Sequence, residues 1–295
     1  MNAATRAAVA RLLGARVCGV QSVSGGDINE AFALELTDGR RVFAKTNPSA
    51  APSFFPAEAR GLRWLGEARA LRVPEVLGVS GSGSERGAEP TESAFLLLEW
   101  LEPAPRAAGF EERLGQGLAA LHRSHALDFG LDHDNFVGSL PQSNQSAPSW
   151  AEFYRDRRLV PLLQQARQRG LLDLAFERDA ERLLGRLPEL VGPSEPPARL
   201  HGDLWGGNLH TAATGEPVLI DPAAYGGHRE IDLAMMRLFG GFPPRVFAAY
   251  RESHPLAAGH AERLELYQLY PLLVHLVLFG ASYRERVGSC LQRYA

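Results

Sequence analysis

Apolar and polar positions change period several times along the chain, and each change marks an element. Residues 3–16 place apolar side chains at helical spacing and predict an opening helix. Residues 17–38 read as a β-hairpin, two extended runs joined by Ser24-Gly25-Gly26-Asp27-Ile28-Asn29. A second turn, Thr37-Asp38-Gly39-Arg40, leads into the short apolar strand Arg41-Val42-Phe43-Ala44-Lys45. Pro56 suits the first turn of a helix running to about Glu67, with Glu58 in that same turn. Residues 80–93 are polar, and residues 95–102 form an apolar strand that turns polar before Pro103-Ala104-Pro105. From Phe110 the pattern becomes helical, with Leu114, Leu118, Leu121 and His122 on one stripe. Residues 127–150 read as a long irregular connection, and residues 152–168 and 171–187 as helices. Residues 217–221 read as a short buried strand; a helix starts at Asp232, and residues 247–250 and 263–292 are helical and apolar.

Strands early and helices late predict an α+β chain with a small antiparallel-sheet lobe, residues 1–101, and a larger mostly helical lobe, residues 102–295. The length of 295 residues suits two lobes of ordinary domain size. With 31 basic and 34 acidic residues the net charge is -3, which gives no footprint for a nucleic-acid partner. Two distant cysteines, Cys18 and Cys290, suit a reducing compartment. The start of the chain shows no secretory h-region, and the apolar residues 269–281 are too few to span a bilayer. No membrane association and a cytoplasmic location are therefore expected.

Candidate chemistry centres on residues 201–208, HGDLWGGN, followed by Asp221. Kinase-type phosphoryl transfer needs a carboxylate that accepts the hydroxyl proton, an asparagine later in the same loop, and a further acid that holds metal. Asp203 and Asn208 are five residues apart, as in that catalytic loop, and Asp221 ends the strand thirteen residues on. Lys45, at the end of a strand after a glycine-containing hairpin, stands where such enzymes keep the lysine for the α- and β-phosphates. Arginine supplies nearly all the basic charge, which makes a strand-end lysine more notable. Glu58 is the candidate to hold Lys45, or is simply an acid near a positive helix end. Gly25 and Gly26 could let backbone N–H groups approach phosphate, or only form a hairpin turn. Glu99, Trp100 and Leu101 are assigned to an adenine-binding hinge by order along the chain, not by chemistry. His122 is a substrate-side candidate or a satisfied core histidine. Asp134, with Asp132, His133 and Asn135, could meet sugar hydroxyls or form turns. Asp232 could cap its helix or brace the catalytic loop. The segment after Asp221 is too short for a protein kinase's activation segment.

Gly25-Gly26, Lys45, FPAEARGL, DNFVGSLP, HGDLWGGN, DPAAYGGHREIDLAMMRLFGGFP and LYQLYPLLVHLVLFG together resemble the fructosamine/ketosamine-3-kinase family. That resemblance implies the aminoglycoside-phosphotransferase-like, protein-kinase-like fold and an ATP-dependent kinase acting on the 3-hydroxyl of ketosamines, free or on glycated protein lysines. It makes Asp203 the base, gives Mg²⁺ to Asn208 and Asp221, and sets Lys45, held by Glu58, on the ATP phosphates. It leaves open whether the sugar is fructosamine, ribulosamine or erythrulosamine. Trp205 could stack on the cationic amine or pack within its loop. Where several members carry cysteine in the phosphate-binding turn, this chain has Asp27. An aminoglycoside or choline phosphotransferase of the same fold, or a silent ATP-binding scaffold, are the alternatives.

Overall fold

A computed structural model describes residues 1–24, 28–81 and 93–295. The chain forms two compact units, Met1–Phe110 with His210–Pro222, and Glu111–Leu209 with Ala223–Ala295. The turn residues Gly25, Gly26 and Asp27 and most of the polar 80–93 stretch lie outside the described residues.

In the first unit, helix α1 (Ala3–Leu13) is capped by the Asn2 side chain on the Thr5 N–H. It stops earlier than the apolar spacing predicts because Gly14 takes a left-handed conformation, φ 70°. Strands β1 (Val17–Val23), β2 (Glu30–Leu36) and β3 (Arg41–Asn47) follow, then helix α2 (Phe54–Glu67) and strands β4 (Val76–Val79) and β5 (Ala94–Glu99). Among the described residues they make an antiparallel five-stranded sheet in the order β1-β2-β3-β5-β4. Alternation along β3 sorts its side chains by face. Val42 and Ala44 join Phe32, Leu34, Phe95 and Leu97 against Ala8 and Val9 of α1. Phe43 points to the other face, where Leu96, Leu98 and Val79 meet Phe55, Ala59 and Leu62 of α2. Lys45, two residues on, shares that face and so looks toward α2. This helix begins at Phe54, two residues before Pro56, which its missing N–H permits because first-turn N–H groups have no helical acceptor. Glu58 consequently lies in the second turn, not the first.

The second unit is built on helices. After α3 (Phe110–Arg123), the stretch expected to be irregular holds a hairpin, β6 (Asn135–Val137) and β7 (Leu140–Gln142). Polar side chains anchor it: Asn135 donates to the Ala224 carbonyl at 2.8 Å, and Gln142 donates to Asn135 Oδ1 at 2.7 Å. Helix α4 (Trp150–Phe153) passes through a π-helical turn, Tyr154–Leu159, into α5 (Val160–Gln168). Val160 N–H reaches back to the Arg155 carbonyl, and Pro161 has no N–H to offer Arg157. The Arg157 carbonyl instead accepts from the Arg158 guanidinium at 3.1 Å. Helix α6 (Leu174–Leu190) and strand β8 (Ala198–Leu200) complete this part.

Strand β9 (Leu209–Thr211) pairs with β10 (Pro217–Leu219), the buried strand ahead of Asp221. Leu219 N–H bonds the Arg72 carbonyl at 2.9 Å, which ties β10 into the first unit. Strand β11 (Tyr225–Gly227) pairs antiparallel with β8. Helices α7 (Glu230–Phe239), α8 (Pro244–Ser253), α9 (Leu264–Phe279) and α10 (Arg284–Tyr294) follow. Leu266, Leu269, Leu273 and Leu276 of α9 pack with Leu183 and Leu187 of α6 and Val287 of α10 in the core of the second unit. Among the described residues no helix is long and apolar enough to cross a membrane.

Candidate active site

Lys45 is the single lysine of the sequence. The register of β3 sets it opposite Ala31 of β2 and Leu96 of β5, and its side chain is 7% exposed. Its ammonium lies 2.7 Å from Glu58 Oε1 and 2.6 Å from Asp221 Oδ1. Burial works against the lysine charge, but the charges of Asp221 and Glu58 outweigh it and raise the proton affinity above that of an ordinary lysine. The ammonium therefore stays protonated across the neutral range. Asp221 is held in the left-handed region at φ 56°, a conformation that aspartate tolerates better than most residues.

In the second unit the catalytic-type loop is braced from behind. Asp232, fully buried in the first turn of α7, accepts from the His201 N–H at 2.8 Å and the Gly202 N–H at 2.9 Å. His122 Nε2 approaches Asp232 Oδ2 at 3.2 Å, and Nδ1 lies 2.8 Å from the Tyr250 hydroxyl. Since a carboxylate only accepts, Nε2 carries the proton. Burial alone would raise the Asp232 carboxyl, yet the His122 hydrogen bond and the neighbouring His201 and Gly202 hold it below the usual aspartate range. Gly202 is at φ 82°, and an added Cβ would come within 2.1 Å of the Ala223 carbonyl, so no larger residue fits there. From this braced segment the chain turns outward. Asn208 Nδ2 donates to the Asp203 carbonyl at 2.8 Å and to its Oδ2 at 3.1 Å, joining the two residues that the spacing singled out.

The other sequence-derived candidates fall in different surroundings. His122 has no exposed surface and both ring nitrogens are engaged, so it reaches the loop through Asp232 and touches nothing in solvent. Asp134 is exposed and accepts from the Asn144 N–H at 2.7 Å, closing the base of the β6–β7 hairpin. Glu99 accepts from Arg72 at 2.6 Å and from the Glu75 N–H at 3.0 Å, while the Arg41 guanidinium lies 4.0 Å from the Trp100 ring centre. Leu101 follows without regular structure. Trp205 is 43% exposed, and its ring lies against Gly207, where a Cβ would come within 2.2 Å of it. The sequence reading passed over Gln142 and Tyr270, whose hydroxyl donates to Gln142 Oε1. Gln142 also donates to the Ala223 carbonyl at 3.3 Å, just after the Asp221 strand. No spacing rule points to such a buried amide.

A family model described as fructosamine kinase matches residues 1–295. The chain belongs to the fructosamine kinase family. Among its relatives, a "Probable ketoamine kinase" of Lactiplantibacillus plantarum is 41% identical over 276 residues, covering 93% of this chain and 94% of that protein. A chloroplastic protein-ribulosamine 3-kinase of Oryza sativa subsp. japonica is 36% identical, covering 95% of this chain and 79% of the other. A crystal structure assigned as a fructosamine-3-kinase from Thermobifida fusca superposes with a TM-score of 0.86 at 40% identity, covering 98% of this chain and 97% of that one. An ADP-bound aminoglycoside phosphotransferase, APH(2'')-Ib, shares the fold at a TM-score of 0.63 and 15% identity, covering 99% of this chain and 98% of that one. The fold of this family member is thus α+β and protein-kinase-like, with an antiparallel-sheet unit and a helical unit.

Proposed function

We propose that this protein is an ATP-dependent ketosamine kinase that transfers a phosphoryl group to the 3-hydroxyl of the sugar moiety. The observation that carries the reading is the single lysine, buried and ion-paired to both Glu58 and Asp221, in a chain matched along its whole length by fructosamine kinases. Lys45, aimed by Glu58, neutralises and orients the ATP phosphates. Glu99 has its side chain committed to Arg72 and Glu75, so the adenine edge falls to backbone groups of Trp100 and Leu101. Asp203 orients the sugar hydroxyl and takes up its proton as transfer proceeds; such help is worth about 10²–10⁴ in rate. His122 and Asp232 keep the loop that carries Asp203 in place, and the half-exposed Trp205 indole meets the cationic amine.

Asn208 and Asp221 each carry an oxygen donor of the kind Mg²⁺ takes. With Nδ2 committed to Asp203, Asn208 can offer a cation only its amide oxygen, and Asp221 offers a carboxylate 40% exposed. Among the described residues no group of three or more His, Cys, Asp or Glu is placed to hold a metal. Mg²⁺ is usually bound by one or two carboxylates together with substrate phosphates and water. When bound, Mg²⁺ neutralises phosphate charge.

Substrates of this reading are small ketosamines or glycated protein lysines. The test is turnover of Mg-ATP with ribulose-lysine, erythrulose-lysine, fructose-lysine, kanamycin and choline, with Asp203→Asn as the blank. Phosphorylation of a ketosamine that falls by about 10² or more in the blank while ATP still binds is expected. Kanamycin or choline turnover alone would place the chain among other phosphotransferases, and silence on all five would leave an ATP-binding scaffold.

A further inference from the structure

The second unit carries a run of aromatic rings that its own packing leaves partly open, and the run starts beside the catalytic-type loop. Gly206 lies backbone to backbone with the Gly240–Gly241 turn; a Cβ on Gly241 would sit 3.1 Å from the Gly206 Cα. Both turn glycines are left-handed, at φ 73° and 88°, and end α7. The residue just before them, Phe239, sets its ring against His275 in a tilted arrangement with centroids 4.5 Å apart. His275 in turn lies 5.0 Å from Tyr283 and 5.3 Å from Phe279. Its ring is fixed by Nδ1 donating to the Pro271 carbonyl at 2.8 Å, and burial keeps it neutral by lowering its proton affinity. Leu273 and Leu276 of the same helix are fully buried, whereas Phe279 is 53% exposed. One exposed phenylalanine needs no explanation, but four rings in mutual contact, three half-buried and one exposed, form a continuous aromatic patch.

We infer that Phe239, His275, Phe279 and Tyr283 form a platform for the polypeptide around a glycated lysine, so that apolar side chains flanking the adduct decide which protein sites are phosphorylated. The inference rests on the ketosamine reading above. A ketosamine has two ends. Its sugar hydroxyl must face Asp203, so the amine and the chain it belongs to must leave across a neighbouring surface. The contact of Gly206 with Gly240–Gly241 sets the end of α7, and Phe239 with it, next to that loop, and the rings in contact with Phe239 are the neighbouring surface we assign to the departing chain. All four are aromatic, and burial lowers the proton affinity of the His275 imidazole and so favours its neutral form, which suits flanking side chains that are aromatic or aliphatic.

The test uses two synthetic peptides of equal charge, each with one ketosamine-bearing lysine flanked by either Phe or Ser, and the ketosamine of Nα-acetyl-lysine as the free substrate. The intact protein should favour the Phe-flanked peptide in kcat/KM by about tenfold, as partial burial of one aromatic side chain gives. Phe279→Ser, at an exposed position outside the proposed machinery, should bring that ratio to about twofold or less and leave the free ketosamine rate unchanged. Phe279→Tyr should retain the preference. Equal rates on both peptides, or a preference untouched in Phe279→Ser, would overturn the platform and leave the kinase reading standing. Turnover of neither peptide nor free ketosamine would overturn the kinase reading, and the platform with it.

Discussion

Lys45 shows what one residue's surroundings decide. It is 7% exposed, with carboxylates at 2.6 and 2.7 Å, so the charge is stabilised by geometry and not by water. Removing it strands Glu58, whose side chain is only 12% exposed. Lys45→Met should therefore cost about 3–5 kcal/mol in urea unfolding at neutral pH. Glu58→Gln in the same background should return part of that loss, because no uncompensated buried charge remains. Equal stability of the single and double variants would mean that the pair is incidental to folding. Since the folded-state proton affinity of Lys45 is raised, its contribution is complete below the ordinary lysine range near 10.4 and fades only as pH rises beyond it.

At the scale of elements, α7 joins two tasks. Its first turn presents Asp232 to two loop N–H groups, and its end supplies Phe239 and the glycine turn against Gly206. Asp232→Ala leaves those N–H groups and His122 Nε2 without their acceptor. We expect a stability loss of roughly 2–5 kcal/mol and a fall in kcat larger than any rise in KM for ATP. An unchanged kcat in a folded variant would remove the bracing role. Elements also mark where the sequence could be read and where it could not. The positions of Lys45, Asp203, Asn208 and Asp221 were legible because short local patterns carry them: an apolar run up to Lys45, a loop spacing, and a second apolar run ahead of Asp221, although β3 runs on to Asn47 and β10 stops at Leu219. The Lys45–Glu58 contact needed only β-strand parity and one helix start, although that start lies two residues earlier than Pro56 suggested. The β6–β7 hairpin was not legible. Its anchors, Asn135 and Gln142, bond carbonyls 89 and 81 residues away respectively, and no local period reports a partner at that distance. The π-helical turn escaped for the opposite reason: its apolar spacing is nearly helical, and only the missing N–H of Pro161 gives it away.

Across the whole molecule, acid should act through the buried histidine His228. Its ring stacks on Tyr267 at 5.2 Å, and burial lowers its proton affinity from 6.5 to about 4. The unfolded chain therefore binds the extra proton first, and stability is complete above pH 6.5 and drains away as pH falls toward about 4. The contribution is on the order of 3 kcal/mol. Thermal unfolding of His228→Phe between pH 7 and 4 should show a flatter decline than the parent, and parallel curves would shift the acid sensitivity to other groups.

The burial of the one lysine also bears on damage. Reducing sugars condense with exposed primary amines, and this chain offers them no accessible ε-amine, since Lys45 is protonated, enclosed and gripped from two sides. Apart from the α-amine of the chain, its basic surface is guanidinium. A protein read as acting on glycation adducts would thus be nearly immune to acquiring them at lysine, and could work in a sugar-rich medium without becoming its own substrate.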